Sequence, residues 1–318
     1  MPCISGHCFY SPLYIKLTAL WFHSLEVIVQ LRQFSQLLIV TISILLAAPS
    51  AKAQQPYGHL PADEIKFITI DGKQTEVLVR SWQSKKHFGS AMIIAASDTD
   101  ADAAGLASYL RTNINARGWA SISLTPAKGL YRPNYATKPE EVTKAGTEQL
   151  QLTSNKSTPK YESSQLLELR NFQQSNLNEA LNQLTSTTSL FPGGKILIVI
   201  DDTAGMVTNL LYDKKIPTPD VLVIVNAYRE FEYLIDPQSQ RKSIAEQLVT
   251  MSIPILDIQS ADAHPNSIEQ APTRLNYNQV KPAKYYRQYQ MSLDLSSPSG
   301  WEEALDQIEG FSRTVIGR

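Results

Sequence analysis

The sequence predicts an α/β fold, with a doubly wound, mostly parallel sheet preceded by an N-terminal hairpin. Short continuous runs of apolar, β-branched residues recur along the chain, as in strands that are covered on both faces. Amphipathic helical patterns separate these runs. Regular alternation of strands and helices is typical of a parallel sheet with right-handed crossovers, so these patterns together indicate the fold class.

The predicted elements follow one another in a regular order. The hairpin lies at residues 64–83 and turns at Asp71-Gly72. The later strands are expected at residues 91–96, 119–124, 196–200, 221–225, 253–258 and 290–295. The helices are expected at residues 103–116, 161–184, 206–211, 241–251, 267–290 and 300–316. No second domain or internal repeat is predicted.

Two polar segments interrupt this order. Residues 97–100 are expected to form a loop that can cap the next helix. Residues 128–160 contain few large apolar side chains and are interpreted as a polar surface insertion. The alternatives for that insertion are a lid over a site or an arm that binds a partner.

The N-terminal part resembles a secretory signal peptide at residues 34–53. An apolar core is followed by Ala51-Lys52-Ala53, which fits the small-x-small cleavage rule. Cleavage after Ala53 predicts a periplasmic or secreted protein with a single domain at residues 54–318 and no stable membrane span. Residues 1–33 are interpreted as a misassigned or unstructured extension. An uncleaved anchor is the alternative, although the apolar core is shorter than the roughly 20 residues of a spanning helix.

The composition excludes several functional classes. The formal charge of −1 gives no indication of nucleic-acid binding, which usually shows as a basic patch or stripe. The only cysteines, Cys3 and Cys8, precede the predicted cleavage site, so no disulfide or thiol chemistry is expected in the mature chain. The chain contains no dinucleotide fingerprint, P-loop or C-x-x-C motif, and no cofactor is predicted.

The corner Asp201-Asp202-Thr203-Ala204-Gly205 lies between a buried strand and a helix. It matches the frame G-x-S-x-G, with which α/β-hydrolases hold their nucleophile, but lacks the first glycine and the serine. In this frame Thr203 takes the nucleophile position. The alternative is that Asp201, Asp202 and Thr203 cap the helix that follows.

Acyl transfer also needs an acid and a base that follow the nucleophile along the chain. Asp262, in the loop after a predicted strand, fits the acid, although it could instead form an Asx turn. The expected base is missing, because residues 295–301 contain no histidine. His264 could approach Thr203 from a non-standard position, and a solvated surface histidine is the alternative.

The rim of this candidate site is expected to include Ser97, Asp98, Asp202 and Ala204 as oxyanion donors or ligand contacts. Its many carboxylates would suit a hard cation. Their spacing matches no compact metal motif, so no metal site is predicted.

Short motifs spread from about residue 63 to 318 carry a family resemblance. They are Arg117-Gly118-Trp119-Ala120, Thr203-Ala204-Gly205, Pro219-Asp220-Val221-Leu222-Val223, Asn226-Ala227-Tyr228, Ile253-Pro254-Ile255-Leu256-Asp257 and Tyr286-Arg287-Gln288. Through them the chain resembles a family of exported Gram-negative bacterial proteins known only as a domain of unknown function. The resemblance implies an α/β-hydrolase-like fold and no established substrate.

These observations favour a catalytically degenerate hydrolase homologue that acts as a binding or envelope-associated protein. Its partner would be a small molecule or an envelope protein. The alternative is a periplasmic esterase or peptidase of the serine-hydrolase type, in which Thr203, Asp262 and His264 take the catalytic roles. Whether the chain is an enzyme therefore stays open at this point, with a non-enzyme preferred.

Overall fold

The computed structural model describes residues 57–129, 163–230, 242–280 and 285–317. The predicted signal peptide and the extension before it lie outside the described residues, as does nearly all of the predicted insertion at 128–160. Among the helices that the structure describes, none combines the length and the apolar character that crossing a membrane requires.

The centre of the molecule is a sheet of eight strands in the order β1-β2-β4-β3-β5-β6-β7-β8. The strands are β1 (Ile65–Ile70), β2 (Lys73–Arg80), β3 (Gly89–Ile94), β4 (Trp119–Leu124), β5 (Gly194–Ile200), β6 (Val221–Val225), β7 (Ile255–Gln259) and β8 (Tyr286–Gln290). β2 runs antiparallel to β1 and β4, and every other pair of neighbours is parallel. The predicted hairpin and mostly parallel sheet are therefore confirmed.

Helices cover the sheet on both faces. They are α1 (Leu106–Asn113), α2 (Ser163–Thr188), α3 (Asp202–Tyr212), α4 (Ile244–Leu248), α5 (Pro265–Val280) and α6 (Pro298–Ile316). One core cluster joins the sheet to α2, α3 and α4, and the other joins it to α1 and α6. Residues 91–94 of β3, 196–200 of β5 and 221–225 of β6 lie between the two clusters and are continuous apolar runs, and the doubly wound arrangement is confirmed.

The last strand differs from the prediction. It was expected at residues 290–295, and residues 286–290 were expected to be helical, but the structure has β8 at Tyr286–Gln290. Polar bonds explain the difference: Tyr286 Oη and Gln288 Nε2 donate to Asp257 Oδ2 of β7 at 2.6 and 3.0 Å. An edge strand held by such bonds lacks the apolar alternation on which the prediction relied.

The loop after β3 also differs from its predicted role. It does not cap α1, because the N-cap of that helix is Gly105, which has no side chain to accept a hydrogen bond. The backbone N–H of Ser97 in this loop donates instead to Asp202 at the start of α3. The loop is thereby attached to the corner after β5, across the carboxyl edge of the sheet.

Candidate functional site

The corner after β5 is strained at Asp201. This residue has φ 55° and ψ −125°, outside the left-handed region that aspartate tolerates, and its N–H donates to the carbonyl of Val225 at 2.8 Å. Strained backbone at the end of a buried strand is the geometry of a nucleophile elbow. The strained position is therefore Asp201, two residues before Thr203.

Thr203 lies within the first turn of α3 rather than at the tip of the corner. Its side chain is fully buried, and Oγ1 donates to the carbonyl of Ile200 at 2.7 Å. The predicted frame differs from the structure because it used Gly205 as the last glycine of the motif. The structure requires a glycine at position 205 for another reason, because a Cβ there would lie 2.4 Å from the carbonyl oxygen of Tyr228.

The alternative that Asp201, Asp202 and Thr203 cap α3 is met only in part. Asp201 is the N-cap residue, but its side chain makes no capping hydrogen bond. Thr203 donates to a carbonyl instead of accepting an N–H of the helix. Asp202 remains in the first turn, where the helix dipole favours its negative charge.

Asp202 is the centre of a polar network at the carboxyl edge of the sheet. Its carboxylate is buried, with Oδ1 accepting from Ser97 N at 3.0 Å and Oδ2 paired with the guanidinium of Arg170. Arg170 also donates from Nε and Nη2 to Glu230, at 2.7 and 2.6 Å. One arginine of α2 thus joins the corner after β5 to the loop after β6.

The charge of Arg170 is maintained by these partners. Burial lowers the pKa of the guanidinium, but the charges of Asp202 and Glu230 and the hydrogen bonds to Glu230 outweigh it and hold the pKa above its ordinary value. The two carboxylates therefore face a permanent cation. Arg170 and Glu230 were not predicted from the sequence; the position of residues 228–230 directly after β6, at the ligand-binding edge of such sheets, was the available signal.

Asp262 lies after β7, where an acid was expected, but it bonds to a different group. Its Oδ1 accepts from Ser260 Oγ at 2.7 Å and from Leu295 N at 3.0 Å, and its Oδ2 accepts from Ser296 N at 2.8 Å. The loop that would carry the base of a triad is thus attached to Asp262 through its backbone, and residues 291–297 contain no histidine.

His264 is stacked on Tyr228, with ring centroids 4.2 Å apart and planes 9° from parallel. Its Nδ1 accepts a hydrogen bond from the N–H of Asn266 at 3.2 Å. In a Ser-His-Asp triad Nδ1 donates to the carboxylate, which leaves Nε2 as the base. Since Nδ1 accepts in this chain, the proton of neutral His264 lies on Nε2.

The structure brings together only part of the predicted rim. Ser97 and Asp202 are directly bonded. Asp98 is exposed and accepts from Thr99 Oγ1 at 3.0 Å, while Ala204 is fully buried within α3. The residue that follows the strained position is Asp202, so its N–H takes the place that was expected for Ala204.

Two other acidic residues near this edge form ion pairs with different basic side chains. Asp100 pairs with Lys128 at 2.9 Å, and Asp102 pairs with Arg111 at 2.5 Å. Within the described ranges, no three histidine, cysteine, aspartate or glutamate side chains gather as a group able to hold a metal ion.

A cleft opens beside the Asp202 network, between α2, α3 and the loop after β6. It is open to solvent, and its empty volume of about 490 Å³ includes part of that open space. Its lining includes Arg170, Gln174, Asp202, Asn209, Tyr228 and Arg229. The cleft therefore lies at the carboxyl ends of the strands, where open α/β sheets bind ligands.

Comparison with known families agrees with this fold. A family model described as "Protein of unknown function (DUF3530)" matches residues 56–314. No curated protein sequence matches the chain. The solved structures that are similar to it are α/β-hydrolases, with sequence identities that establish the fold alone.

Three solved structures illustrate the similarity. Est1E from Butyrivibrio proteoclasticus has a TM-score of 0.53 and 9% identity, over 80% of this chain and 100% of that one. A variant of the esterase rPPE has a TM-score of 0.51 and 9% identity, over 79% and 82% of the two chains. An alpha-beta serine hydrolase homologue from Coxiella burnetii has a TM-score of 0.48 and 14% identity, over 80% and 99%.

Proposed function

The chain belongs to the family Protein of unknown function (DUF3530), and within it we propose a hydrolase-fold binding protein that lacks acyl-transfer activity. Its ligand would be a small molecule held in the cleft beside Asp202. The proposal includes export to the periplasm with cleavage after Ala53, as the sequence predicts. N-terminal sequencing of the exported protein tests the cleavage, which requires Gln54 as the first residue.

The observation that carries the proposal is the hydrogen bond from Ser97 N to Asp202 Oδ1, 3.0 Å long. In α/β-hydrolases the oxyanion is held by an N–H of the loop after β3 and by the N–H of the residue after the nucleophile. In this chain those positions belong to Ser97 and Asp202. A carboxylate therefore accepts the N–H that an oxyanion would need.

The carboxylate also disfavours an oxyanion electrostatically. A developing oxyanion about 4 Å from an uncompensated carboxylate would be opposed by about 4 kcal/mol at an effective dielectric constant near 20, and the ion pair with Arg170 offsets part of this repulsion at Asp202. Removing one oxyanion donor alone lowers kcat about 10²–10³-fold in a serine protease. A corner with this carboxylate is thus poorly suited to acyl transfer.

The remaining triad positions give independent support. Nδ1 of His264 accepts from Asn266, which is the reverse of its role in a triad. Asp262 is bonded to the backbone of Leu295 and Ser296 rather than to an imidazole in that loop. The proposal thus does not depend on the oxyanion position alone.

One observation favours a second candidate, an ester or amide hydrolase. Asp201 keeps a strained conformation that costs of order 1–3 kcal/mol in general, and such strain is concentrated at active sites. In this candidate the attacking group is the Thr203 hydroxyl, or the Asp201 carboxylate, since carboxylates also act as nucleophiles. The esterase rPPE among the similar structures agrees with this chemistry without assigning it.

A fluorophosphonate probe and nitrophenyl acetate separate the two candidates. We expect no labelling of the purified chain and no ester hydrolysis above a heat-denatured control. Labelling that disappears in Thr203→Ala but persists in Thr208→Ala would overturn the proposal. Thr208 is a matched control, because it is also fully buried in α3 and donates to a backbone carbonyl at 2.7 Å.

A further inference from the structure

The sheet ends in two edge strands, β1 and β8, and side chains of the molecule itself block the edge at β1. The Gln183 amide of α2 bonds to both backbone groups of Thr69, and the Thr69 N–H donates to its Oε1 at 3.0 Å. Glu179 of the same helix accepts the N–H of Asp71 at 3.0 Å. Helix α2 therefore occupies positions that an added strand would use.

The edge at β8 keeps its backbone groups open. The C=O of Tyr285 and the N–H of Met291 bond to β7, and alternate residues of a parallel strand face the same neighbour. Tyr286, Gln288 and Gln290 therefore direct their N–H and C=O groups away from β7. Within the described part of the chain, no group bonds to these outward positions. They can thus pair with another strand.

Opposite charges lie on one face of this edge. Arg287 is exposed, and its guanidinium lies 5.8 Å from the ring centre of Tyr289 and donates to the uncharged amide of Gln307. The Tyr289 hydroxyl donates to the carboxylate of Glu303 in α6 at 2.8 Å. β8 contains no proline or bulge that would prevent pairing.

We propose that β8 pairs with β8 of a second copy of this chain, antiparallel and about a two-fold axis at Gln288. Each Tyr286 then faces Gln290 of the other copy, and the two Gln288 residues face each other. Each facing pair exchanges two hydrogen bonds, so the contact contains about six. The pairing goes beyond the binding role proposed above and does not depend on it.

Charge and length favour this register over its neighbours. With the axis at Gln288, all five residues of β8 pair, and Arg287 lies opposite Tyr289 of the second copy, on the same face as Glu303. An axis one residue earlier would place the two Arg287 side chains directly opposite each other, which is destabilising. An axis one residue later would pair only residues 288–290 of the two strands.

The helices beside β8 add surface to the contact. Gln288 Nε2 donates to the carbonyl of Ala271 in α5 at 3.1 Å, and Leu275, one turn later on that helix, is 39% exposed. Burying such apolar surface supplies a contribution that backbone hydrogen bonds alone lack, because the unpaired groups bond to water instead.

Sedimentation equilibrium of the mature chain tests the pairing. We expect twice the mass of one chain at about 50 µM, with a Kd near or below about 10 µM. Gln290→Pro should raise this Kd at least about tenfold, because it removes an outward N–H from each copy while sparing the bonds to β7. Gln290→Ala is the matched control, since it keeps the N–H and changes only an exposed side chain. Melting temperatures verify that both variants remain folded.

Charge reversal tests the register. Arg287→Glu would place a carboxylate on the same face as Glu303 of the second copy and should raise the Kd at least about tenfold. Lys66→Glu is the control, because it makes the same charge change at an exposed position of β1, the opposite edge strand. It should change the Kd less than about twofold.

Cysteine pairs test the facing residues directly, because residues 54–318 contain no cysteine. Positions 287 and 289 of the two copies form a non-hydrogen-bonded pair, where Cα atoms lie about 4.5 Å apart, within disulfide range. An equimolar mixture of Arg287→Cys and Tyr289→Cys should therefore form a linked dimer faster than either variant alone.

Four results would overturn the inference. A single-chain mass at about 100 µM would leave this edge to a different protein. The other three are a Kd that Gln290→Pro leaves unchanged, equal effects of the two charge reversals, and linkage of one cysteine variant alone as fast as in the mixture.

Discussion

The Asp202 carboxylate accepts the N–H of Ser97 at 3.0 Å and pairs on its other oxygen with Arg170. This relationship joins the loop after β3, the corner after β5 and helix α2. Since Arg170 also binds Glu230, the loop after β6 belongs to the same network. Ion pairs therefore fix the residues that shape the cleft, at a site where catalytic groups are expected in this fold.

Removing the cation of this network should destabilise the chain strongly. In Arg170→Met, the buried Asp202 and Glu230 lose their cation, and we expect a loss of about 3 kcal/mol in the free energy of unfolding. Arg117→Met is the control, because its pair with Asp306 is exposed and should cost less than about 1 kcal/mol. Urea denaturation of both variants measures the difference, and equal losses would show that Arg170 contributes no more than a surface charge.

Replacing the strained residue should stabilise the chain. Glycine adopts positive φ without the Cβ clash, and the strain of about 1–3 kcal/mol exceeds the roughly 0.5–1 kcal/mol of backbone entropy that glycine loses on folding. Asp201→Gly should therefore raise the free energy of unfolding by about 1 kcal/mol. Asp71→Gly is the control at another positive φ, in the hairpin turn, where aspartate is well tolerated and little change is expected. A clear loss of stability in Asp201→Gly would show that the Asp201 carboxylate supports the corner.

Two glycines in helices should respond to alanine in opposite directions. In Gly205→Ala the new Cβ would lie 2.4 Å from the carbonyl oxygen of Tyr228, so we expect a loss of about 1–3 kcal/mol. Gly310 in α6 has open space around it, and Gly310→Ala should stabilise the chain by about 0.5–1 kcal/mol. Thermal melting of both variants tests this, and a neutral Gly205→Ala would mean that the loop after β6 can move away from α3.

Alkaline pH should destabilise the chain through buried tyrosines. Burial, followed by the charges of Asp202 and Glu230, raises the pKa of Tyr228 well above its ordinary value. Burial and Asp257 likewise raise the pKa of Tyr286. Above about pH 10 both phenols ionise in the unfolded chain but stay protonated in the folded one, so stability falls as pH rises, by up to about 1.4 kcal/mol per pH unit for each group.

Urea denaturation at about pH 9 and pH 11 measures this slope. Tyr286→Phe should reduce it, whereas Tyr277→Phe should not, because Tyr277 is 40% exposed. Asp257 retains Arg274 and Gln288 as partners in Tyr286→Phe, so the variant is expected to fold. An unchanged slope in Tyr286→Phe would contradict the role of burial at this phenol.

The sheet was predictable because its signals are local. Val221–Val225 and Trp119–Leu124 have the predicted bounds. The first is a continuous apolar run, and the second begins directly after Gly118, which ends the preceding helix. β8 was missed because its polar side chains are satisfied by Asp257, on a neighbouring strand that is distant in sequence. No local pattern reports such a partner.

The corner after β5 shows the same limit at a single site. Its position between a buried strand and a helix was predicted from residues 196–211, because that change of periodicity is visible in the sequence. The alignment of the nucleophile motif within the corner was not predicted correctly, because a glycine at position 205 fits both a turn motif and a close contact with Tyr228. Only the dihedral angles place the strain at Asp201.

The sequence by itself determined the α/β class, the order of most elements and the absence of a histidine after the last strand, because these depend on local periodicity and residue type. Only the tertiary structure decided that Asp202 meets Ser97 and Arg170 and that Nδ1 of His264 accepts a hydrogen bond from the N–H of Asn266. The physical reason is that crossovers bring distant segments to one edge of the sheet, where burial makes each charge depend on its partners.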